Sequence, residues 1–383
     1  MDRLCIVAAR RTPQGRFLGG LKRLSPVDLA CAAARPIVDQ VDESLIDHVI
    51  IGNVLGAGHG MNVARQVGIR LGLPPEVPAF TVNMMCGSGL QAVRLAAQVI
   101  RSGEARAVLC GGTESMSGAP YLLPRARQGL KLGDTPLVDS ILRDGLIDAF
   151  EGRHMGLLAE AMAESFDIDR RSQDAWAVRS HQRFADAEAA GVFHDERVPL
   201  EGLDTDEHPR PGTTLDDLSR LKGAFDPEGT VTAGNASGIN DGAAMLLLTD
   251  HELATRASWP ILCDWVDSVA VGCEPSQMGL GPVYALRRLC DRKRLALADC
   301  DAVEINEAFA SQVLACMRAL PVAEETVNRC GGAIALGHPI GASGARLAVH
   351  AANQIARGAV HQAAISLCVG GGMGVAALLR ASD

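Results

Sequence analysis

Asn83-Met84-Met85-Cys86-Gly87-Ser88-Gly89 and Gly337-His338-Pro339-Ile340-Gly341-Ala342-Ser343-Gly344 decide the fold, because they read as two copies of one element. Ser88-Gly89 recurs as Ser343-Gly344, 255 positions later. Working outward, Pro26-Val27 recurs as Pro282-Val283, Asp47 as Asp301, Gly103 as Gly358 and Leu109-Cys110 as Leu367-Cys368. All the offsets fall between 254 and 258, in the same order along the chain. A single match would be noise; an ordered set at one spacing is a duplication.

Each copy reads as strand, helix, strand, helix, strand. The first strands are Leu4–Ala9 and Ile261–Val266, the first helices Pro26–Asp39 and Pro282–Arg292, with proline at a tolerated first-turn position. Pro36 is expected to kink or end the first of these. Short strands Val49–Gly52 and Ala302–Ile305 follow. Leu90–Arg101 and Ala345–Ala356 carry apolar residues at helical spacing. Ala105–Cys110 and Ala363–Val369 are near-continuous apolar runs, as in strands buried on both faces. The second copy closes with the strand Gly374–Arg380. Its match in the first copy, Gly242–Leu248, comes only after a long excursion. The excursion is the most polar part of the chain, with the acidic loop Asp204–Glu207, turns at Pro209 and Pro211, and helices Gly156–Phe166 and Ser172–Ala190. An excursion of that length with its own structure is more often functional than decorative, and a lid or ligand-recognition subdomain is expected.

The composition fits an interior of small aliphatic side chains. Of 383 residues, 48% are hydrophobic and only 3% aromatic, with 41 glycines. Few aromatics and a net charge of −9 argue against a nucleic-acid-binding surface. No apolar run reaches the roughly 18 residues of a membrane span, and the apolar start after Met1-Asp2-Arg3 is short for a signal sequence. The 11 cysteines are odd in number, scattered and without a C-x-x-C pair. They read as buried thiols of a reducing compartment, which suggests the cytoplasm, with no metal site.

Four constellations carry chemistry. Cys86 follows the strand-like Ala79–Val82 and opens a helix; there the helix dipole and free N–H groups are expected to depress its pKa and favour a nucleophilic thiolate. The alternative is a small core cysteine before a glycine turn. His338 lies in a glycine-rich loop before a helix, where it can take a proton from a thiol or steady an oxyanion, or else be a turn histidine satisfied by backbone. Cys368 ends a buried strand before Gly370-Gly371-Gly372, either a thiolate base or an inert thiol. Asn306, at a strand end in Glu304-Ile305-Asn306-Glu307-Ala308-Phe309-Ala310, can fix a water or a carbonyl, or cap a helix. Phosphate-loop, dinucleotide and nucleophile-elbow signatures are absent from the sequence.

Together these motifs resemble the thiolase family over essentially the whole chain. Ala9-Arg10-Arg11-Thr12-Pro13, Asn62-Val63-Ala64-Arg65-Gln66 and Gly111-Gly112-Thr113-Glu114-Ser115-Met116-Ser117 add to the likeness, as do His154-Met155-Gly156 and Gly234–Gly242. The resemblance implies an α/β fold: a thiolase-like five-layered αβαβα sandwich of two duplicated five-stranded halves plus an inserted loop domain. The halves would be residues 1–115 with 241–258, and 259–383. The loop domain would be 116–240, serving CoA binding and oligomerisation. The resemblance also implies roles. Cys86 would take the acyl group from a thioester, His338 activating it, and Cys368 would move the α-proton of a second acyl-CoA. Oxyanions would be held by His338 with an Asn306-bound water, and by the N–H groups of Cys86 and Gly370. CoA and acyl-CoA would be substrates, with no tightly bound cofactor. Their contacts would fall on Ser237, His154, Met155, Lys222 and Phe309, Lys222 standing where the short-chain type often has arginine. The expected activity is formation or thiolysis of acetoacetyl-CoA, by a homodimer or homotetramer. A degradative thiolase of broader chain length and a non-catalytic scaffold are the other readings.

Overall fold

The computed structural model describes residues 3–200 and 202–382; Met1, Asp2, Glu201 and Asp383 lie outside the described residues. In chain order, the elements that frame the duplicated core begin with β1 (Leu4–Arg11), α1 (Pro26–Val38), β2 (His48–Gly52), α2 (Val63–Leu71), β3 (Ala79–Val82), α3 (Ser88–Arg101) and β4 (Ala107–Ser115). Within the excursion stand α4 (Met155–Ser165) and α5 (Arg170–Ala189), and β5 (Asn240–Asp250) completes the first half. The second half holds β6 (Cys263–Gly272), α6 (Gly281–Lys293), β7 (Ala302–Ile305), α7 (Ala310–Ala319), α8 (Ser343–Ala356), β8 (Gln362–Val369) and β9 (Met373–Arg380).

The first sheet runs β3-β2-β4-β5-β1 and the second β7-β8-β9-β6. They join where β1 pairs antiparallel with β6 at Leu4–Trp265 and Ile6–Cys263. The alternation along each strand creates the layers. On β4, Val108 and Cys110 face the central helices, while Ala107 and Leu109 face α1 and α2. On β8, Ile365 and Leu367 turn to the centre and Ala364 to the opposite face, against α6 and α7. The order is therefore helices, sheet, α3 with α8, sheet, helices. Alanine makes the middle layer thin: Ala92, Ala96 and Ala97 of α3 share one buried cluster with Ala345, Ala348, Ala351 and Ala352 of α8.

Three sequence expectations are corrected. Each half has two helices more than the alternating pattern gave: α2 and the short His251–Arg256 in the first, α7 and the short Ala333–Leu336 in the second. The second half has four strands, not five. Where β3 stands in the first half, the second contributes only a bridge between Val327 and Val303, since the chain turns at once through Asn328 (φ 48°) and Gly331 (φ 81°) into the His338 loop. Four of the thiols outside the chemical motifs, Cys31, Cys273, Cys290 and Cys330, are partly exposed rather than buried. Pro36 falls in the last turn of α1, which ends two residues later.

The excursion is fastened to the core by buried charge. Arg11 of β1 is fully enclosed and bonds Glu196 (2.7 Å) and Asp206 (2.6 and 2.9 Å). Glu196 also meets His350 Nδ1 of α8 at 2.9 Å. Burial alone would raise the Glu196 carboxyl, but His350 and Arg11 hold it down to about 2. Burial would lower His350, and Glu196 instead lifts it to about 10. The Glu196 contribution to stability is complete above its ordinary value of 4.5 and lost as pH falls through about 2; that of His350 is complete below 6.5 and lost as pH rises through about 10. His350→Gln should therefore cost about 3–5 kcal/mol near pH 6, and much less at pH 10. Urea unfolding followed from pH 5 to 10 measures this; equal losses at both ends would refute the pairing.

Candidate active site

The two central helices begin at the site. Gly89 of α3 and Gly344 of α8 are second residues of their helices, and there the helices touch backbone to backbone. A Cβ on Gly89 would lie 2.7 Å from the Ala345 nitrogen, and one on Gly344 would lie 2.5 Å from the Leu90 nitrogen. Only glycine permits that approach, which brings the two duplicated loops together.

Each loop presents one group. Met85 adopts φ 47°, a left-handed turn that sets Cys86 just before α3. Ser88 Oγ accepts from Met84 N–H (2.8 Å) and donates to the Met85 carbonyl (2.7 Å), closing that turn. The His338 loop is held from three sides. Asn240 Oδ1 accepts the His338 N–H (2.9 Å), Glu114 accepts the Gly341 N–H (2.9 Å), and His338 Nδ1 meets Ser343 Oγ at 2.6 Å. Glu114 also accepts from Val54, Leu55 and Asn53, and burial pushes it up to about 7. His338 Nε2 is buried with no protein partner.

Cys86, His338, Cys368 and Gly370 line one cavity of about 370 Å³. Its walls are largely apolar, including Met116, Leu142, Leu146, Phe225, Met278 and Ile340. That environment reverses the expectation of a depressed thiol. Burial lifts Cys86 to about 11, against which the N–H groups of Gly370 and of Cys86 itself pull downward. Burial, with Arg346 adding to it, drops His338 to about 3. Cys368 is pushed well above the ordinary thiol value, chiefly by burial and then by Cys86. At neutral pH the site thus holds neutral thiols and a neutral imidazole: the cost of charge in an apolar cavity outweighs the helix dipole.

The other sequence candidates divide. Ser237, His154, Met155 and Phe309 line the same cavity. His154 caps α4, accepting the Gly156 N–H at Nδ1 (3.0 Å), and stacks on Phe225 at 4.5 Å. Met155 Sδ lies beside Gly370. Asn306 is not on the cavity wall; it follows β7, fully buried, and neither its amide nitrogen nor its amide oxygen bonds protein. Its neighbour Glu307 is locked by Trp176, Ser180, Asn328 and the Ile334 N–H, which fixes the backbone around it. Lys222 is exposed and does not line the cavity, although Ala224 and Phe225 just after it do. Sequence reading passed over His208 and Arg210, which do line the cavity. Their signal was a histidine and an arginine flanking Pro209 in the polar excursion.

Residues 4–252 match the thiolase N-terminal domain and residues 259–381 the thiolase C-terminal domain. An acetyl-CoA acetyltransferase of Pseudomonas aeruginosa is 46% identical over 390 aligned positions, covering 99% of both chains. A probable acetyl-CoA acyltransferase of Staphylococcus aureus is 45% identical, again over 99% of each. The crystal structure of the Bacillus anthracis acetyl-CoA acetyltransferase superposes with a TM-score of 0.97 at 38% identity, covering 100% of this chain and 99% of that one. Human mitochondrial 3-ketoacyl-CoA thiolase, solved in complex with CoA, gives 0.97 at 41% identity, covering 100% and 98%.

The helix crossing supplies a test. Gly344→Ala must push α8 from Leu90, and overpacking of this kind costs about 1–3 kcal/mol. We expect that loss in urea unfolding, with slower iodoacetamide alkylation of Cys86; unchanged stability would contradict the close approach.

Proposed function

The chain belongs to the thiolase family, and we propose that it is an acetyl-CoA C-acetyltransferase, joining two acetyl-CoA into acetoacetyl-CoA and CoA, and the reverse, through an acetyl-Cys86 intermediate. What supports this most directly is the convergence of Cys86, His338, Cys368 and the Gly370 backbone on one apolar cavity. Full-length relatives named for this activity support it independently.

The charge states dictate the order of events. Cys86 rests as a thiol, so attack on the thioester carbonyl must be accompanied by transfer of its proton to His338. The N–H groups of Cys86 and Gly370 receive the developing oxyanion, a kind of donor worth about 2.7–4 kcal/mol each. Cys368 also rests protonated. It therefore acts first as an acid, giving its proton to the departing CoA sulfur. The thiolate left in apolar surroundings is then a strong enough base for the α-proton of the second acetyl-CoA. The carbanion attacks acetyl-Cys86, and collapse of the adduct returns the His338 proton to the Cys86 sulfur. Thiolysis runs these transfers backward. The oxyanion of the second thioester falls to His338 with an Asn306-held water, a role that suits a buried amide with no protein partner.

Residues 116–240 form the CoA-binding and oligomerisation domain in this reading. Ser237, His154, Met155 and Phe309 contact the thioester end and the pantetheine arm, with Arg210 at the cavity offering a cation to phosphate; Lys222, exposed, is a lesser contact. CoA is a substrate and not a resident cofactor. The exposed apolar Tyr121, Leu132 and Leu137 support assembly into a dimer or tetramer. The compartment we assign is the cytoplasm; among the described residues no helix is long and apolar enough to cross a membrane.

A broader 3-ketoacyl-CoA thiolase is favoured by one observation, the apolar wall of Met116, Leu142, Leu146 and Ile340, which suits a longer acyl tail. Comparing kcat/KM for thiolysis of acetoacetyl-CoA and of longer 3-ketoacyl-CoA decides; a strong long-chain preference overturns the acetyl assignment. Cys86→Ala should form no acyl-enzyme with labelled acetyl-CoA. Cys368→Ala should still acylate, more slowly because the departing CoA sulfur loses its proton donor, and should exchange the α-proton about 10²–10⁴-fold more slowly, read by deuterium incorporation; wild-type exchange would remove its role.

A further inference from the structure

The duplication delivers one residue to both halves of the site that the mechanism above does not use. Ser88 and Ser343 are equivalent positions, each the first residue of a central helix and each buried. Each hydroxyl turns back onto the loop before its helix. Ser88 binds only backbone, Met84 N–H and the Met85 carbonyl. Ser343 binds the Pro339 carbonyl (3.0 Å) and the His338 ring at Nδ1 (2.6 Å).

A hydroxyl has one proton to give. If Ser343 gave it to Nδ1, its oxygen would face the Pro339 carbonyl at 3.0 Å with no hydrogen between two lone-pair-bearing atoms. Given to the carbonyl instead, it leaves a lone pair on Oγ that accepts Nδ1–H. Both contacts are then attractive, and the imidazole carries its proton on Nδ1. Nε2 is the nitrogen left for the site: buried, with no protein partner, on a residue that lines the cavity with Cys86. A base needs its lone pair there. The tautomer is therefore built into the loop before any substrate arrives.

We propose that Ser343 is a positioning residue that fixes the His338 proton on Nδ1, so that Nε2 is the atom that receives the Cys86 proton, and that Ser88 is its duplicated counterpart, holding the turn that presents the thiol. The inference rests on the thiolase reading for its catalytic meaning, but the tautomer itself does not depend on it. One serine acts on a ring and the other on a backbone because the second loop places the His338 imidazole within reach of the hydroxyl, whereas Ser88 meets only the Met84 and Met85 backbone.

The test uses ¹⁵N-histidine-labelled protein at pH 7, the His338 signals being those absent from His338→Asn. The wild type should show Nδ1 protonated and Nε2 unprotonated. Ser343→Ala should shift population to the Nε2-protonated form. It should slow iodoacetamide alkylation of Cys86, and lower the thiolysis kcat with little change in KM. The loss should be at least about tenfold, up to the ~10⁴-fold found where a nucleophile–histidine pair is left in the wrong tautomer. Ser343→Thr, which keeps the hydroxyl, should restore the wild-type tautomer. Ser88→Ala should slow alkylation while leaving the His338 tautomer unchanged. A wild-type Nε2–H signal, or a Ser343→Ala protein with the wild-type tautomer, overturns the proposal, even if its activity falls. A wild type with the expected tautomer but no thiolysis faults the functional reading alone.

Discussion

The contact of α3 with α8 at Gly89 and Gly344 is the constraint on which the rest depends. Two helices from different halves of the chain meet without side chains between them, near the limit of backbone approach. The alanine-rich faces behind the crossing follow from it, since larger residues would wedge the helices apart. So does the five-layer stack, because each sheet packs its inner face on this thin central layer. The loops before the two helices then have one place to go. They face each other across a single cavity, carrying Cys86 and His338.

Burial in that cavity governs the chemistry more than any one partner does. Cys86 at about 11 and His338 at about 3 are displaced in opposite directions by one cause, the cost of charge away from water. A site built this way stores no ion pair. In the proposed mechanism it moves a proton only when an acyl group arrives to accept the sulfur's electrons. Cys368, also held neutral, would add a second proton of the same kind, so that the proposed reaction needs only two thiols and an imidazole to pass protons in either direction. The surrounding polar groups are spent on geometry. Asn240, Glu114 and Ser343 hold the histidine loop, and Asn328 with Glu307 hold the segment that bears Asn306.

The excursion is tied to this frame differently, through charge enclosed in the core. Arg11 lies in the motif Ala9–Pro13, and Glu196 and His350 lie far from it in sequence; none of the three advertises the others. Sequence reading placed most of the paired strands and helices to within a few residues because small-residue periodicity and the repeat reinforce each other, but β4 and β6 run on to Ser115 and Gly272, past their expected ends at Cys110 and Val266. It missed α2 and α7, whose loops carry no such pattern, and the missing fifth strand, which depends on a turn at Asn328 that only the folded His338 loop requires. Ser237, His154, Met155 and Phe309 were legible through the family motif. His208 and Arg210 were not, since they reach the cavity only through the path of the excursion.

The sequence by itself determined the duplication, the interruption of the first copy and the family, and through the family's motifs it named Cys86, His338 and Cys368 as the candidates for chemistry. These are matters of residue type and spacing, which the linear chain carries in full. Tertiary structure decided the protonation states, reversing the expected thiolate, because desolvation depends on everything around an atom and not on its neighbours in sequence. It decided too which groups share a cavity, leaving Lys222 outside and bringing Arg210 in. It also gave the duplicated serines their separate tasks, since a hydroxyl's partner is set by the atoms that the crossing of α3 and α8 places within its reach.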